Sequence, residues 1–225
     1  MKLRFLFSLL LGVTLATSPA FAKKKDEPKP KESLPTVVDM NLDHDPENIV
    51  HLDLSNGGRV SFRMMPEWAP NHVERVKTLV RERFYDGIIF HRVIDGFMAQ
   101  TGDPTGTGQG GSSYPDLEAE FNSMPHLRGT ISMARTNEPN TANSQFFIMF
   151  YPRFALDRKY TIFGRVIRGM NIVDAIARGE PPQEPTKIVR ASLASEGALP
   201  QPPVPAANDD EEVVSIDDLI NSASD

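Results

Sequence analysis

Between Phe90 and Gly111 the chain reads FHRVIDGFMAQTGDPTGTGQGG, an arginine, two aromatics and a methionine set directly before a run dense in glycine. Gly106, Gly108 and Gly111 satisfy the G-x-G-x-x-G spacing that lets a backbone approach a pyrophosphate. Such a cradle works only between a buried strand and the start of a helix, where phosphate meets free N–H groups. Here the glycines follow Gly102-Asp103-Pro104 and lead into Ser112-Ser113-Tyr114-Pro115, where no helix opens, and there is no Gly-Lys-Ser/Thr. The run therefore reads as a long glycine loop folding tightly beside a surface groove. Arg92 stays charged and presents rigidly arranged donors. Taken alone it would be a surface ion pair, and Phe97, Met98 and Phe147 taken alone would be core. Metal and thiol chemistry find no support: the five histidines, at 44, 51, 72, 91 and 126, show no His-x-x-x-His spacing, and the chain has no cysteine. No cofactor is expected.

Those residues need a scaffold, and the flanking pattern describes one. Val50, Leu52 and Leu54 alternate with His51 and Asp53, Ser55-Asn56-Gly57-Gly58 turns the chain, and Val60, Phe62 and Met64 alternate again, which predicts a hairpin. Pro70-Asn71 opens a helix with Val73, Val76, Val80 and Phe84 on one face, and Glu74, three after Asn71, as its cap partner. Further strands are predicted over 130–134, 145–150, 160–167 and 188–193, and a second helix over 171–177, ended by Gly179 and Pro181. Many short strands, few helices and frequent Gly/Pro turns argue for a mainly β chain closed into an antiparallel barrel.

The ends are of another character. MKLRFLFSLLLGVTLATSPAFA has the basic start, short apolar stretch and small-x-small end of a secretory signal, so residues 1–22 are expected to be removed after Ala22. Residues 23–47, rich in Lys, Pro, Asp and Glu, read as a flexible linker; 48–196 form the domain; 197–225 are a Pro/Ala linker and an acidic tail. Ser215-Ile216-Asp217-Asp218 has capping-box form ahead of Leu219 and Ile220, so the tail either solubilises the protein or folds as a short helix on an unidentified partner. The formal charge of −6 becomes −8 once Lys2 and Arg4 leave with the signal, which argues against nucleic-acid binding. An exported monomer is expected, free of the membrane after cleavage and in the periplasm rather than fully secreted.

In order along the chain, FHRVIDGFMAQTGDPTGTGQGG, GTISMARTNEPNTANSQFFIMF and LDRKYTIFGRVIRGMNIVDAI resemble the signature and later blocks of the cyclophilin family of peptidyl-prolyl isomerases, over about Val50 to Leu193. The resemblance implies an eight-stranded antiparallel barrel closed by two α-helices, with a proline-binding groove on its outside. An Xaa-Pro bond interconverts slowly because the amide loses its resonance as it twists, a barrier of roughly 18–20 kcal/mol. No covalent bond changes, so a catalyst needs a grip on the ring and a donor that favours the twisted amide over both planar forms.

By the resemblance, Arg92 is the catalytic donor to the carbonyl and the prolyl nitrogen. Phe97, Met98, Phe147 and Leu156 match the proline pocket, Gln100 and Gln145 are positioned for substrate backbone, and Tyr160 falls at the rim. Ala134 and Arg135 correspond to the edge along which the peptide lies; Arg135 replaces a residue that is often small and neutral, and either favours acidic peptides or is solvated. Ala155 stands where many members have tryptophan, and Phe154 lies one place earlier, which weakens the case for cyclosporin binding. His91 reads as a packed neighbour, because amide rotation needs no proton transfer. The implied function is acceleration of Xaa-Pro rotation in exported, proline-containing polypeptides. The alternative is a proline-motif binding module or holdase with little turnover, and the presence of Arg92 favours the enzyme.

Overall fold

The computed structural model describes residues 33–197; the expected signal, the first part of the linker and the tail beyond Gly197 lie outside them. Eight antiparallel strands form one curled sheet: β1 Ile49–Leu54, β2 Arg59–Met64, β3 Arg92–Ile94, β4 Met98–Thr101, β5 Thr130–Met133, β6 Phe146–Met149, β7 Ile162–Arg168 and β8 Ile188–Leu193, in the order β3-β4-β6-β5-β7-β2-β1-β8. The two end strands do not ladder together. The gap is bridged by Ile89 to Lys187 and by Phe90 N–H donating to Thr186 O at 2.9 Å, so the sheet curls into a barrel whose seam is short.

The period-two pattern of the first hairpin places Val50, Leu52, Leu54, Val60, Phe62 and Met64 in the barrel interior with Ile131, Phe146, Ile148 and Phe163. Phe146 packs edge-on against Phe163 and Tyr85. Helix α1, Pro70–Arg81, covers one end with Val73, Val76, Leu79 and Val80. It stops short of Phe84, because Arg83 takes a left-handed conformation (φ 59°) and turns the chain out of the helix. Helix α2 is Met170–Asp174, shorter than the periodicity of 171–177 predicts.

The cap of α1 also differs from the sequence reading. No side chain of the helix caps it, and Glu74 pairs with Lys77 instead (3.1 Å). Glu120 does the work from 49 residues away, accepting the N–H groups of Asn71 (3.2 Å) and His72 (3.1 Å) and pairing with His72 Nδ1 at 2.6 Å. Burial pulls the Glu120 carboxyl upward, but these donors outweigh it and hold it below the usual range.

The expected linker is attached to the barrel from Leu34 onward. Leu34 and Val38 pack on Met65, Trp68, Met124 and Ile162, and Trp68 Nε1 donates to Pro35 O at 2.8 Å. Arg63, on the outer face of β2 and 3% exposed, donates to the carbonyls of Asp39 (2.7 Å), Asn41 (2.6 Å) and His44 (2.8 Å). A buried guanidinium must fill its donors, and this one fills them with the backbone of residues 39–44, which charge and proline content alone do not reveal.

Candidate active site

The run QFFIMF is apolar without alternation because β6 is covered on both faces. Phe146 and Ile148 enter the barrel core; Phe147 and Met149 face outward and join Met98 in a second cluster with Ile94, Phe97, Ala134, Leu156 and Tyr160. Strand register then sets the site. Arg92 pairs with Gln100, Gln100 with Phe147, and Phe147 with Ser132, so one row running across β3, β4, β6 and β5 carries a guanidinium, an amide, an aromatic ring and a hydroxyl.

Arg92, Phe97, Met98, Gln100, Ala134, Arg135, Phe147, Leu156 and Tyr160 line one cavity of about 230 Å³. Gln145 lies in an adjoining cavity of about 580 Å³, which shares Gln100, Ala134 and Arg135 with the first and is walled by the glycine loop from Gly108 to Gly111. Phe154 is 65% exposed, and neither it nor Ala155 lines the apolar cavity. The 3-10 turn Phe154–Leu156 turns Leu156, not its aromatic neighbour, inward.

The floor is held from beneath. The His126 ring stacks on Phe147 (6.2 Å between centroids, 16° between planes), and Tyr160 meets the same ring edge-on at 5.8 Å. His126 is buried; Asp157, just past Leu156, accepts from its N–H (2.8 Å) and pairs with Nδ1 (2.9 Å), while Nε2 lies 3.3 Å from Ser132 Oγ. Burial lowers the His126 pKa against the opposing pull of Asp157, so the ring is neutral near pH 7. Arg135 stacks on Tyr160 at 4.5 Å and donates to the carbonyls of Lys159 and Thr136 (both 2.7 Å). Its charge is tied down against backbone rather than extended into the groove.

The polar side is a relay. Arg92 Nε donates to Glu180 at 2.7 Å and Nη1 reaches Gln100 Oε1 at 3.5 Å; Gln100 Nε2 donates to Gln145 Oε1 at 2.8 Å; Gln145 Nε2 donates to the carbonyls of Gly108 (3.1 Å) and Gly110 (2.7 Å). Asp103, 1% exposed, organises the glycine loop by accepting from Thr105 N–H (2.7 Å), Thr105 Oγ1 (2.8 Å) and the N–H groups of Thr107 (3.1 Å) and Gly108 (2.6 Å). Burial would raise its pKa, but the Thr105 hydroxyl and the amides of Thr105, Gly110 and Gly108 bring it down to about 2. A Cβ at Gly110 would run into Asp103 Oδ1 and come within 2.8 Å of Thr105 Cγ2, so glycine at this position leaves room for the carboxylate, while Gly106 and Gly108 take positive φ (68° and 83°). His91 is buried beside this loop, and a Cβ at Gly108 would stand 3.7 Å from its ring. Among the described residues no group of three or more His, Asp or Glu could hold a metal ion.

The arrangement is a cavity with apolar walls at Phe97, Met98, Phe147 and Leu156 and a guanidinium, Arg92, among its lining residues. Residues 49–193 match the family model for cyclophilin-type peptidyl-prolyl cis-trans isomerases (CLD). The chain belongs to that family. A probable peptidyl-prolyl cis-trans isomerase of Brucella suis is 46% identical over 168 residues, covering 68% of this chain and 85% of the relative. Among solved structures, a cyclophilin of Hirschia baltica superposes with a TM-score of 0.64 at 32% identity, covering 68% of this chain and 76% of that one. A cyclophilin-type isomerase of Cryptosporidium parvum, crystallised in the presence of the dipeptide Ala-Pro, does so with a TM-score of 0.60 at 30% identity, covering 64% and 98%. This cyclophilin is thus a peptidyl-prolyl cis-trans isomerase whose substrates contain proline.

Several residues that hold the cyclophilin barrel and its site are not legible in the sequence. Asp103 had a local signal, since Asp two places before Thr in a Gly/Pro-rich loop is a turn-forming pair. Glu120, His126, Asp157 and Glu180 had none. Their partners lie 31 to 88 residues away, and only the curled sheet brings them together.

Proposed function

We propose that Arg92 is the donor that lowers the rotational barrier, with the proline ring seated against Phe97, Met98, Phe147 and Leu156. The observation carrying this reading is the register row that sets Arg92 and Gln100 beside Phe147, so that a ring resting on the aromatic floor holds its amide under the guanidinium. In a planar amide the prolyl nitrogen shares its lone pair with the carbonyl. As the bond twists that pair localises on nitrogen, and a fixed cation stabilises it more than it stabilises either planar form. Gln100 and Gln145 then meet the peptide backbone, with Arg135 along the groove edge; the Ala134 N–H is already committed to Gln145 O at 2.9 Å.

Exchange spectroscopy by NMR on an Ala-Pro peptide, with catalytic amounts of residues 23–225, tests this directly. Arg92→Ala is expected to slow exchange about 100-fold or more with the fold intact, the usual cost of losing one transition-state donor. Unchanged exchange in the variant would remove Arg92 from its role. Peptide binding without accelerated exchange in the wild type would leave only a binding module.

The signal-like first 22 residues support export, and we read the protein as a monomer that works in the periplasm on the proline bonds of other exported proteins. Cell fractionation followed by N-terminal sequencing is expected to find it in the periplasmic fraction, beginning at Lys23. Recovery in the cytoplasm with Met1 intact would overturn that location.

A further inference from the structure

The loop between α2 and β8 lies along β3 as an added strand does. Arg178 pairs with Asp95 at 3.2 Å and stacks on Phe150 at 4.1 Å; Gly179 exchanges both backbone hydrogen bonds with Val93 (2.8 and 2.9 Å); Glu180 accepts from Arg92 Nε at 2.7 Å. Three consecutive residues of the loop thus meet β3 and the turn after it, and Glu180 is delivered to Arg92 by backbone pairing one residue away. Gly179 has φ 142°, and a Cβ there would stand 2.6 Å from Pro182 Cα, so this conformation beside the strand requires glycine.

We propose that Glu180 is a positioning residue for the isomerisation, holding the Nε edge of Arg92 so that its remaining donors face the proline pocket; this rests on Arg92 having the role given above. An arginine side chain carries large rotamer entropy, and this one is 42% exposed and reaches Gln100 only at 3.5 Å. Gln100 alone is a weak tether. The Glu180 carboxylate takes the one N–H that points back along the side chain, and the two contacts fix the plane of the guanidinium before substrate arrives. The carboxylate is itself half-exposed, so its effect is that of a surface ion pair with good geometry, not of a buried one.

The test separates positioning from structure. With the Ala-Pro exchange assay, Glu180→Ala is expected to lower kcat about three- to fivefold with KM changed less than about twofold. Glu180→Gln keeps an acceptor for Nε–H and is expected to retain about half of the wild-type kcat or more. In an Arg92→Ala background the Glu180→Ala effect should vanish. The Arg92 Nε–Hε resonance reports the contact without reference to activity, and should shift and broaden in Glu180→Ala but not in Glu180→Gln. An unchanged or faster kcat in Glu180→Ala overturns the proposal, as does a loss of the same size in the Arg92→Ala background. If Arg92→Ala alone leaves exchange unchanged, it is the role of Arg92 that fails, before Glu180 is reached.

Discussion

Gln145 connects the row of Arg92, Gln100 and Phe147 to the glycine loop, and its amide is used at both ends: Oε1 accepts from Gln100, while Nε2 serves the Gly108 and Gly110 carbonyls. Removing it frees Gln100 to rotate and leaves two carbonyls to find water. Each such hydrogen bond is worth about 0.5–1.5 kcal/mol. Gln145→Ala is therefore expected to lower kcat/KM by about 5- to 10-fold in the exchange assay while the far-UV spectrum is unchanged. The resemblance named Arg92, Gln100 and Phe147 of this row and Gln145 beside it, and these residues line the two joined cavities. It did not reach His126 and Asp157 beneath the floor, whose side chains look, in sequence, like any other polar loop residues.

At the scale of elements, α1 depends on a carboxylate from outside itself. Its N-terminus lacks a capping side chain of its own, and Glu120 supplies two backbone contacts and the His72 pair. Glu120→Ala leaves those donors without their acceptor and leaves His72 buried beside them. A cap of this kind contributes about 1–2 kcal/mol, so the variant is expected to lose that much stability in urea. Hydrogen exchange should quicken selectively at Asn71 and His72. Uniform exchange protection across α1 in the variant would show that the helix does not need the contact. The periodicity from Pro70 to Phe84 was enough to find the helix and the face it buries, though not its end at Arg81; the cap was not legible, because a charge at position 120 can be matched to an N-terminus at 70 only once the sheet is curled.

For the molecule as a whole, residues 34–47 complete the barrel's outer surface. Their removal would expose Trp68, which is 6% exposed and the only tryptophan, and would strip Arg63 of its carbonyl acceptors. A chain starting at residue 48 is expected to show red-shifted tryptophan emission and a loss of at least about 2 kcal/mol of stability, since a buried guanidinium left without partners is costly. Identical emission from the longer and shorter chains would exclude the docked arrangement. Acid acts on the whole fold with one sign. Burial lowers the pKa of His51, His72, His91 and His126, so as pH falls through about 6.5 the unfolded chain binds protons first and stability drops. Asp103, held at about 2 against 3.8, adds a second loss of about 2 kcal/mol between about pH 4 and pH 2. Thermal midpoints measured from pH 8 downward should therefore be flat at first and decline in two stages.

Local pattern was enough for the alternating hairpin, the position of α1, the strand over 145–150 and the blocks that carry the family resemblance. All of these are local, since the backbone imposes periods of 2 and 3.6 and a turn needs particular residues within four positions. Which residues stand beside which is a property of the folded chain. The fold set the row Arg92–Gln100–Phe147–Ser132, the Glu120 cap, the carbonyls that fill Arg63, and the placing of Glu180 on Arg92. Those pairings span up to 88 residues, and they follow from strand register and from how far the sheet curls, quantities to which no local stretch of the chain is tied.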